Sequence, residues 1–159
     1  MKLFLILSDT HGDLFEAKKI IDRYPQLDAM IHLGDYYKDA VHLQNQFPKL
    51  ECIMIPGNCD FVSDVPEERI LEVEGKKIFL THGHHYSVKS GTGRLEAKGL
   101  KEGYDALLYG HTHIPLIKYT TSSLILNPGS LGYPRGLSGP TYALLEISKG
   151  TIEARIMDT

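Results

Sequence analysis

At 159 residues the chain is the size of one domain with one core, and no linker, repeat or low-complexity tract divides residues 1–159. Its 42% hydrophobic and 23% charged residues lie near globular norms, and a formal net charge of -3 argues against the basic surface that stable nucleic-acid binding requires. Cys52 and Cys59 are too few for a disulfide scaffold and lack C-x-x-C spacing, and the apolar run after Lys2 is too short for a signal peptide or membrane span, so a cytoplasmic location with reduced thiols is expected.

Leu3 to Leu7 is a continuous apolar run, as in a strand buried on both faces, and it delivers Asp9 and His11 to a loop. From Asp13, a suitable N-cap, Leu14, Ala17, Ile20, Ile21 and Tyr24 recur at helical spacing until Pro25. Ala29 to Leu33 is a second run, ending in Gly34-Asp35, and Ala40, Val41 and Phe47 then permit a helix closed by Pro48. Glu51 to Ile55 repeats the pattern and ends in Pro56-Gly57-Asn58. This alternation of strand and helix predicts right-handed crossovers and a parallel sheet through the first sixty residues.

The second half is richer in hairpins. Arg69 to Val73 and Lys76 to Thr81 flank a Glu74-Gly75 turn, and His82 opens a long polar loop. A short helix is predicted over Arg94 to Lys101, and strands over Asp105 to Tyr109, Leu116 to Thr120, Ser123 to Leu126, Tyr142 to Ile147 and Thr151 to Met157. Two sheets therefore fit the pattern better than one doubly wound sheet.

Asp9, His11, Asp35, Asn58, His82, His111 and His113 each lie where an apolar run stops, so they can converge on one sheet edge. Oxygen and nitrogen ligands without thiolate suit hard or borderline divalent ions and phosphate-ester hydrolysis. If Asp9-x-His11 and His111-x-His113 are extended, the residues two apart face the same way, and one imidazole can reach each of two neighbouring ions. Asp35 can bridge such a pair, easing the repulsion between cations roughly 3.5 to 4 Å apart. Glycines beside Asp35, Asn58, His111, His11 and His82 allow several loops to crowd one small volume.

The ordered set D-x-H, G-D, G-N-x-D, H-G and G-H-x-H, with the later Asn127-Pro128-Gly129-Ser130 loop, resembles the calcineurin-like metallophosphoesterase superfamily. The small size and Gly57-Asn58-Cys59-Asp60 are similar to its compact YfcE and MJ0936-type phosphodiesterases. The resemblance implies a four-layer αββα sandwich of two mixed sheets flanked by helices. It also implies two divalent ions, manganese first, with nickel, zinc, iron or magnesium as alternatives. Asp9, His11 and His113 would take the first ion and Asn58, His82 and His111 the second, with Asp35 shared. A metal-bridging hydroxide would then attack phosphorus in line with the leaving group.

Many members of that superfamily carry histidine as a general acid where this chain has Cys59. A thiol can donate a proton, but the commoner role of cysteine is that of a small buried apolar residue. Without a strong acid, aryl leaving groups should be favoured over alkoxides. His84 and His85 are further candidates for touching substrate or orienting a ligand, and His84 is the one retained as catalytic beside Cys59. His32 and His42 read as structural, Arg94, Lys98 and Lys101 as a solvated basic face or an anion guide, and Arg135 as a surface-loop residue able to approach the phosphate. Ser90-Gly91-Thr92-Gly93 lacks the spacing of a nucleotide loop.

The expected substrate is a small phosphodiester or nucleotide-like ester. A phosphomonoesterase is the first alternative, and a non-catalytic scaffold like Vps29, which resembles the same fold, is the second. The compact relatives suggest a homodimer or homotetramer.

Overall fold

The computed structural model describes residues 1–62 and 64–159. Strand β1 (Lys2–Leu7) shows why the fold is layered. Phe4 and Ile6 point to one side and Leu3, Leu5 and Leu7 to the other, and both sides are buried. β2 (Ala29–His32) and β3 (Glu51–Met54) continue the parallel pairing, with Ile6 opposite Ile31 and Ile31 opposite Ile53. The antiparallel pair β9 (Thr141–Ser148) and β10 (Thr151–Asp158) completes this sheet in the order β10-β9-β1-β2-β3.

The second sheet has the order β4-β5-β6-β8-β7. β4 (Glu68–Val73) and β5 (Lys76–Thr81) form the predicted hairpin, and Glu74 and Gly75 both take positive φ (51° and 78°), as a tight primed turn requires. β6 (Ala106–Leu108) and β8 (Leu124–Asn127) run parallel to β5, and β7 (Leu116–Tyr119) returns antiparallel at the edge.

The two sheets pack face to face through Ile6, Ile31, Ile53, Leu80, Leu108, Leu126 and Leu145. Each such side chain removed from water contributes about 2 kcal/mol. Helices α1 (Leu14–Arg23) and α2 (Tyr37–Gln46) lie near the first sheet, where Ala17, Ile20 and Leu43 join Leu5, Leu7 and Met30. Helix α3 (Gly93–Glu102) buries Leu95 against Phe79, Leu107 and Ile125 of the second. The result is the expected αββα sandwich. Asp13 caps α1 as predicted, accepting from the Glu16 N–H (3.4 Å). Of the basic residues of α3, Arg94 and Lys101 are exposed, and half-buried Lys98 sets its ammonium 5.2 Å from the centre of the Phe79 ring. No helix among the described residues is long and apolar enough to cross a membrane.

The parallel strands position the site. β1, β2, β3, β5 and β6 each end just before one of the predicted ligands, and β8 ends at Asn127. Ligand-bearing loops collect outside the carboxyl ends of parallel strands, where the chain leaves the ladder with its backbone groups free to turn.

Candidate metal centre

The ligand loops are not extended. Asp9, His11, Asp35, His111 and His113 all have positive φ, between 47° and 70°, and they are five of the nine non-glycine residues in that region among those described. The expectation that D-x-H and H-x-H present their side chains by strand alternation is therefore corrected. Left-handed backbone at each residue aims the side chains instead, and such strain in bulky residues persists only where the surroundings enforce it.

The enforcing contacts are identifiable. The Asp9 N–H donates to Gly34 O (3.0 Å) and the Gly110 N–H to His82 O (2.9 Å), which ties neighbouring loops together. The Ser130 hydroxyl donates to Asp9 O (2.6 Å), and the Asn127 amide to Gly110 O (3.1 Å) and Thr112 Oγ1 (2.9 Å). The Asn-Pro-Gly-Ser segment thus acts as a brace for two ligand loops. A further brace was not read from the sequence. The Gly34 N–H donates to His32 Nδ1 (3.2 Å), so Nε2 bears the ring proton toward Thr10 Oγ1 (2.9 Å), and the Thr10 hydroxyl donates to buried Asp39 (2.8 Å). Burial pushes His32 down to about 4, consistent with a neutral structural ring. Asp39 also accepts from the Gly12 N–H (2.7 Å), gripping the loop on both sides of His11.

One ligand atom from each of Asp9, His11, Asp35 and His113 lies within 4.8 Å of the others. His82 Nε2 is 3.5 Å from Asp35 Oδ2 and 3.9 Å from Asp9 Oδ1, and the His111 ring centre is 5.1 Å from that of His82. Asn58 differs. It is exposed, and its amide donates to Cys59 Sγ (3.7 Å), so the contacts join six of the predicted residues and leave the seventh beside them.

Three atoms in this cluster, Asp9 Oδ1, His11 Nε2 and His82 Nε2, are buried with no hydrogen-bond partner. Asp9 Oδ1 lies 3.1 Å from His113 Nε2, yet the approach is not aligned for a hydrogen bond. Leaving one such group unsatisfied costs about 1–3 kcal/mol, so three of them buried within one cluster of ligand-type residues fit lone pairs available to a cation. The opposite edges of two rings are already engaged: His82 Nδ1 contacts Leu33 O (2.7 Å) and His113 Nδ1 contacts Tyr133 O (2.6 Å). A proton held at Nδ1 by a carbonyl leaves the Nε2 lone pair free for an ion. This donor set and its orientation fit divalent cations.

Charge is arranged to match. Burial alone would raise Asp9 and Asp35, but His113, His82 and Ser8 outweigh it at Asp9, and His82 and the Cys59 N–H (2.9 Å) at Asp35, so both stay below the usual carboxylate range. Burial opposes protonation of His82, yet the two carboxylates raise it, and Asp9 does the same for His113. His11 is lowered by burial, and His111 is pushed down to about 4 by burial with His82 and Lys89 nearby. Anionic oxygens and neutral imidazoles are the forms that bind metal, so the two carboxylates, His11 and His111 meet that need, whereas His82 and His113 are drawn toward the protonated form by the carboxylates and must release that proton to a cation.

Cys59 is exposed, which corrects the expectation of a small buried residue. Burial of the sulfur, slight as it is, and the Asp35 carboxylate raise its pKa, so it carries a proton near neutrality. His84 begins a short 3-10 turn (His84–Tyr86), 5.6 Å from His82 and 6.1 Å from His111 between ring centres, and its buried Nδ1 has no partner. His85 instead contacts Glu67 (2.9 Å) at the surface. Arg135 is exposed, and its N–H donates to His113 O (3.1 Å).

Fold and site together define a metallophosphoesterase. Residues 1–150 match the Calcineurin-like phosphoesterase superfamily domain, and the chain belongs to that superfamily, whose members bind divalent metals. The phosphodiesterase MJ0936 of Methanocaldococcus jannaschii is 33% identical over 164 residues, covering 91% of this chain and 92% of that protein. A conserved Streptococcus pneumoniae protein, described as a predicted phosphoesterase, shares the fold with a TM-score of 0.82 at 30% identity, over 98% of this chain and 88% of its own. Vps29 of Entamoeba histolytica, in a zinc complex, gives a TM-score of 0.76 at 21% identity over 98% of both chains, which shows the fold alone.

Proposed function

We propose that this chain is a phosphodiesterase acting on a small diester at a dinuclear centre. The observation that supports it most is that Asp9 Oδ1, His11 Nε2 and His82 Nε2 are buried and unpartnered within one cluster of ligand-type residues. In this reading Asp9, His11 and His113 hold one divalent ion and Asn58, His82 and His111 the other, Asp35 serves both, and manganese is the first candidate. Bound there, the ions supply Lewis acidity and an activated water for in-line displacement at phosphorus. Asp35 and Asp9 provide the negative charge that keeps two cations close. The carbonyls of Leu33 and Tyr133 hold His82 and His113 in the required tautomer. Asn58 is exposed and its side chain is tied only to Cys59 Sγ by one long contact, which leaves it free to change rotamer.

The similarity to the MJ0936 phosphodiesterase favours a diester over a monoester. The Vps29 likeness, at 21% identity, favours a scaffold only weakly. Two unpaired cysteines suit the reducing cytoplasm.

The test uses chelator-stripped protein with manganese, nickel, magnesium, zinc or iron(II) restored separately. Bis-para-nitrophenyl phosphate should be cleaved after restoration, faster than the para-nitrophenyl monoester and faster than dialkyl diesters. That last preference follows from Cys59, a weaker proton donor to a departing alkoxide than an imidazolium. Rescue by none of the ions would favour the scaffold, and faster monoester turnover the phosphomonoesterase.

A further inference from the structure

Beside the candidate centre lies a cleft of about 730 Å³ whose lining includes His11, Tyr36, Lys38, Val41, Cys59 and Phe61. Its composition differs from that of the metal cluster. Phe61 is fully exposed (101%) and Val41 40% exposed, so apolar surface faces water within reach of the ligand loops. Tyr36 has left-handed backbone (φ 64°), and its ring centre is 4.7 Å from that of His11. The Lys38 ammonium stands 5.1 Å from the centre of the Tyr36 ring.

We propose that this cleft receives an aromatic ring, aryl or nucleobase, carried by the phosphate ester, and so selects aromatic over simple alkyl esters. The inference rests on the phosphodiesterase reading and adds the substrate class.

Continuity with the centre argues for substrate over a protein partner. His11 and Cys59 belong both to the cleft wall and to the ligand loops, so a group entering the cleft lies next to the phosphate. The volume is in the range of about 300–1,000 Å³ typical of small-molecule sites. A flat ring gains by covering the exposed Phe61, through lost apolar hydration and offset or edge contacts between rings. The backbone strain at Tyr36 also has a use here, because it holds an aromatic face beside a metal-ligand candidate instead of turning it to solvent.

Phe61→Ala tests this cleanly, because a ring with full exposure contributes no core packing and the variant should fold. The measurement is competitive inhibition of bis-para-nitrophenyl phosphate hydrolysis by manganese-loaded enzyme. Phenylphosphonate represents an aryl group, thymidine 5′-monophosphate a nucleoside, and methylphosphonate the phosphoryl group with no ring. The wild-type inhibition constant for phenylphosphonate or thymidine 5′-monophosphate should be about tenfold below that for methylphosphonate, and Phe61→Ala should remove most of that gap. The ligand with the larger gap identifies the ring as aryl or nucleobase. Equal constants for all three in the wild type, or a gap unchanged by Phe61→Ala, would overturn the aromatic subsite while leaving the hydrolase reading intact. Absence of hydrolysis with every ion would instead remove the reading beneath it.

Discussion

Asp35→Asn should lower metal-dependent cleavage of bis-para-nitrophenyl phosphate by about 10³-fold or more, equivalent to at least about 4 kcal/mol. The substitution conserves shape, and its amide oxygen can still accept the Cys59 N–H that now donates to Asp35 Oδ1 (2.9 Å). Packing is therefore retained. What disappears is the negative charge 3.5 Å from His82 Nε2, on the carboxylate proposed to serve both ions. The effect should fall chiefly on turnover, while the metal-free variant should unfold at a somewhat lower temperature than the parent near neutral pH, because the depressed pKa of Asp35 marks its charge as favoured in the fold beside His82. His82→Ala should be similarly inactive but less stable, since it empties a fully buried position. Near-parental turnover of either variant after metal restoration would remove its assigned role.

Gly57→Ala should also be damaging, by a different route. A Cβ at this position would overlap the Asp35 carboxylate and lie 2.5 Å from the Asp35 backbone nitrogen. The carboxylate could swing aside, but the Asp35 backbone nitrogen cannot yield without moving the loop. On the facing loop Gly34, at φ +99°, would place a Cβ 2.6 Å from Gly57 N and 2.8 Å from Gly57 Cα. The two loops meet backbone to backbone, so an added methyl must push Asp35 out of place. A displacement near 1 Å at a reacting centre costs about 10²-fold in rate, and overpacking of this kind about 1–3 kcal/mol in stability. Gly139→Ala is the matched control, with ordinary φ and open space around the new atom. Urea unfolding and diester turnover of the two alanine variants should therefore diverge, with Gly139→Ala resembling the parent.

The strands were legible because burial on both faces leaves unbroken apolar runs such as Leu3 to Leu7, and the hairpin because Glu74-Gly75 interrupts one. The candidate ligands were legible for a related reason, since each sits where such a run stops. Their backbone geometry was not. Asp and His adopt positive φ more often than most non-glycine residues but still uncommonly, too weak a signal to mark Asp9, His11, His111 and His113, and contacts distant in sequence hold them there. The brace linking His32, Thr10 and Asp39 spans three separate segments, and Asp39 reads as an ordinary acid in the first turn of a helix. A weak signal existed, because Asp39 lies four residues before Leu43 on the buried face of α2. The exposure of Cys59 was equally hidden, for a cysteine in a glycine-rich loop has no periodic neighbours to reveal which way it faces.

The most direct measurement is the number of manganese ions bound per chain, by equilibrium dialysis of the parent protein and of Asp35→Asn. Two ions per parent chain, with at least one lost or strongly weakened in the variant, is the expected result. One ion or none in the parent, or two ions held equally well without the Asp35 carboxylate, would contradict a centre in which the buried oxygen and imidazole nitrogens around Asp9 converge on a pair of cations.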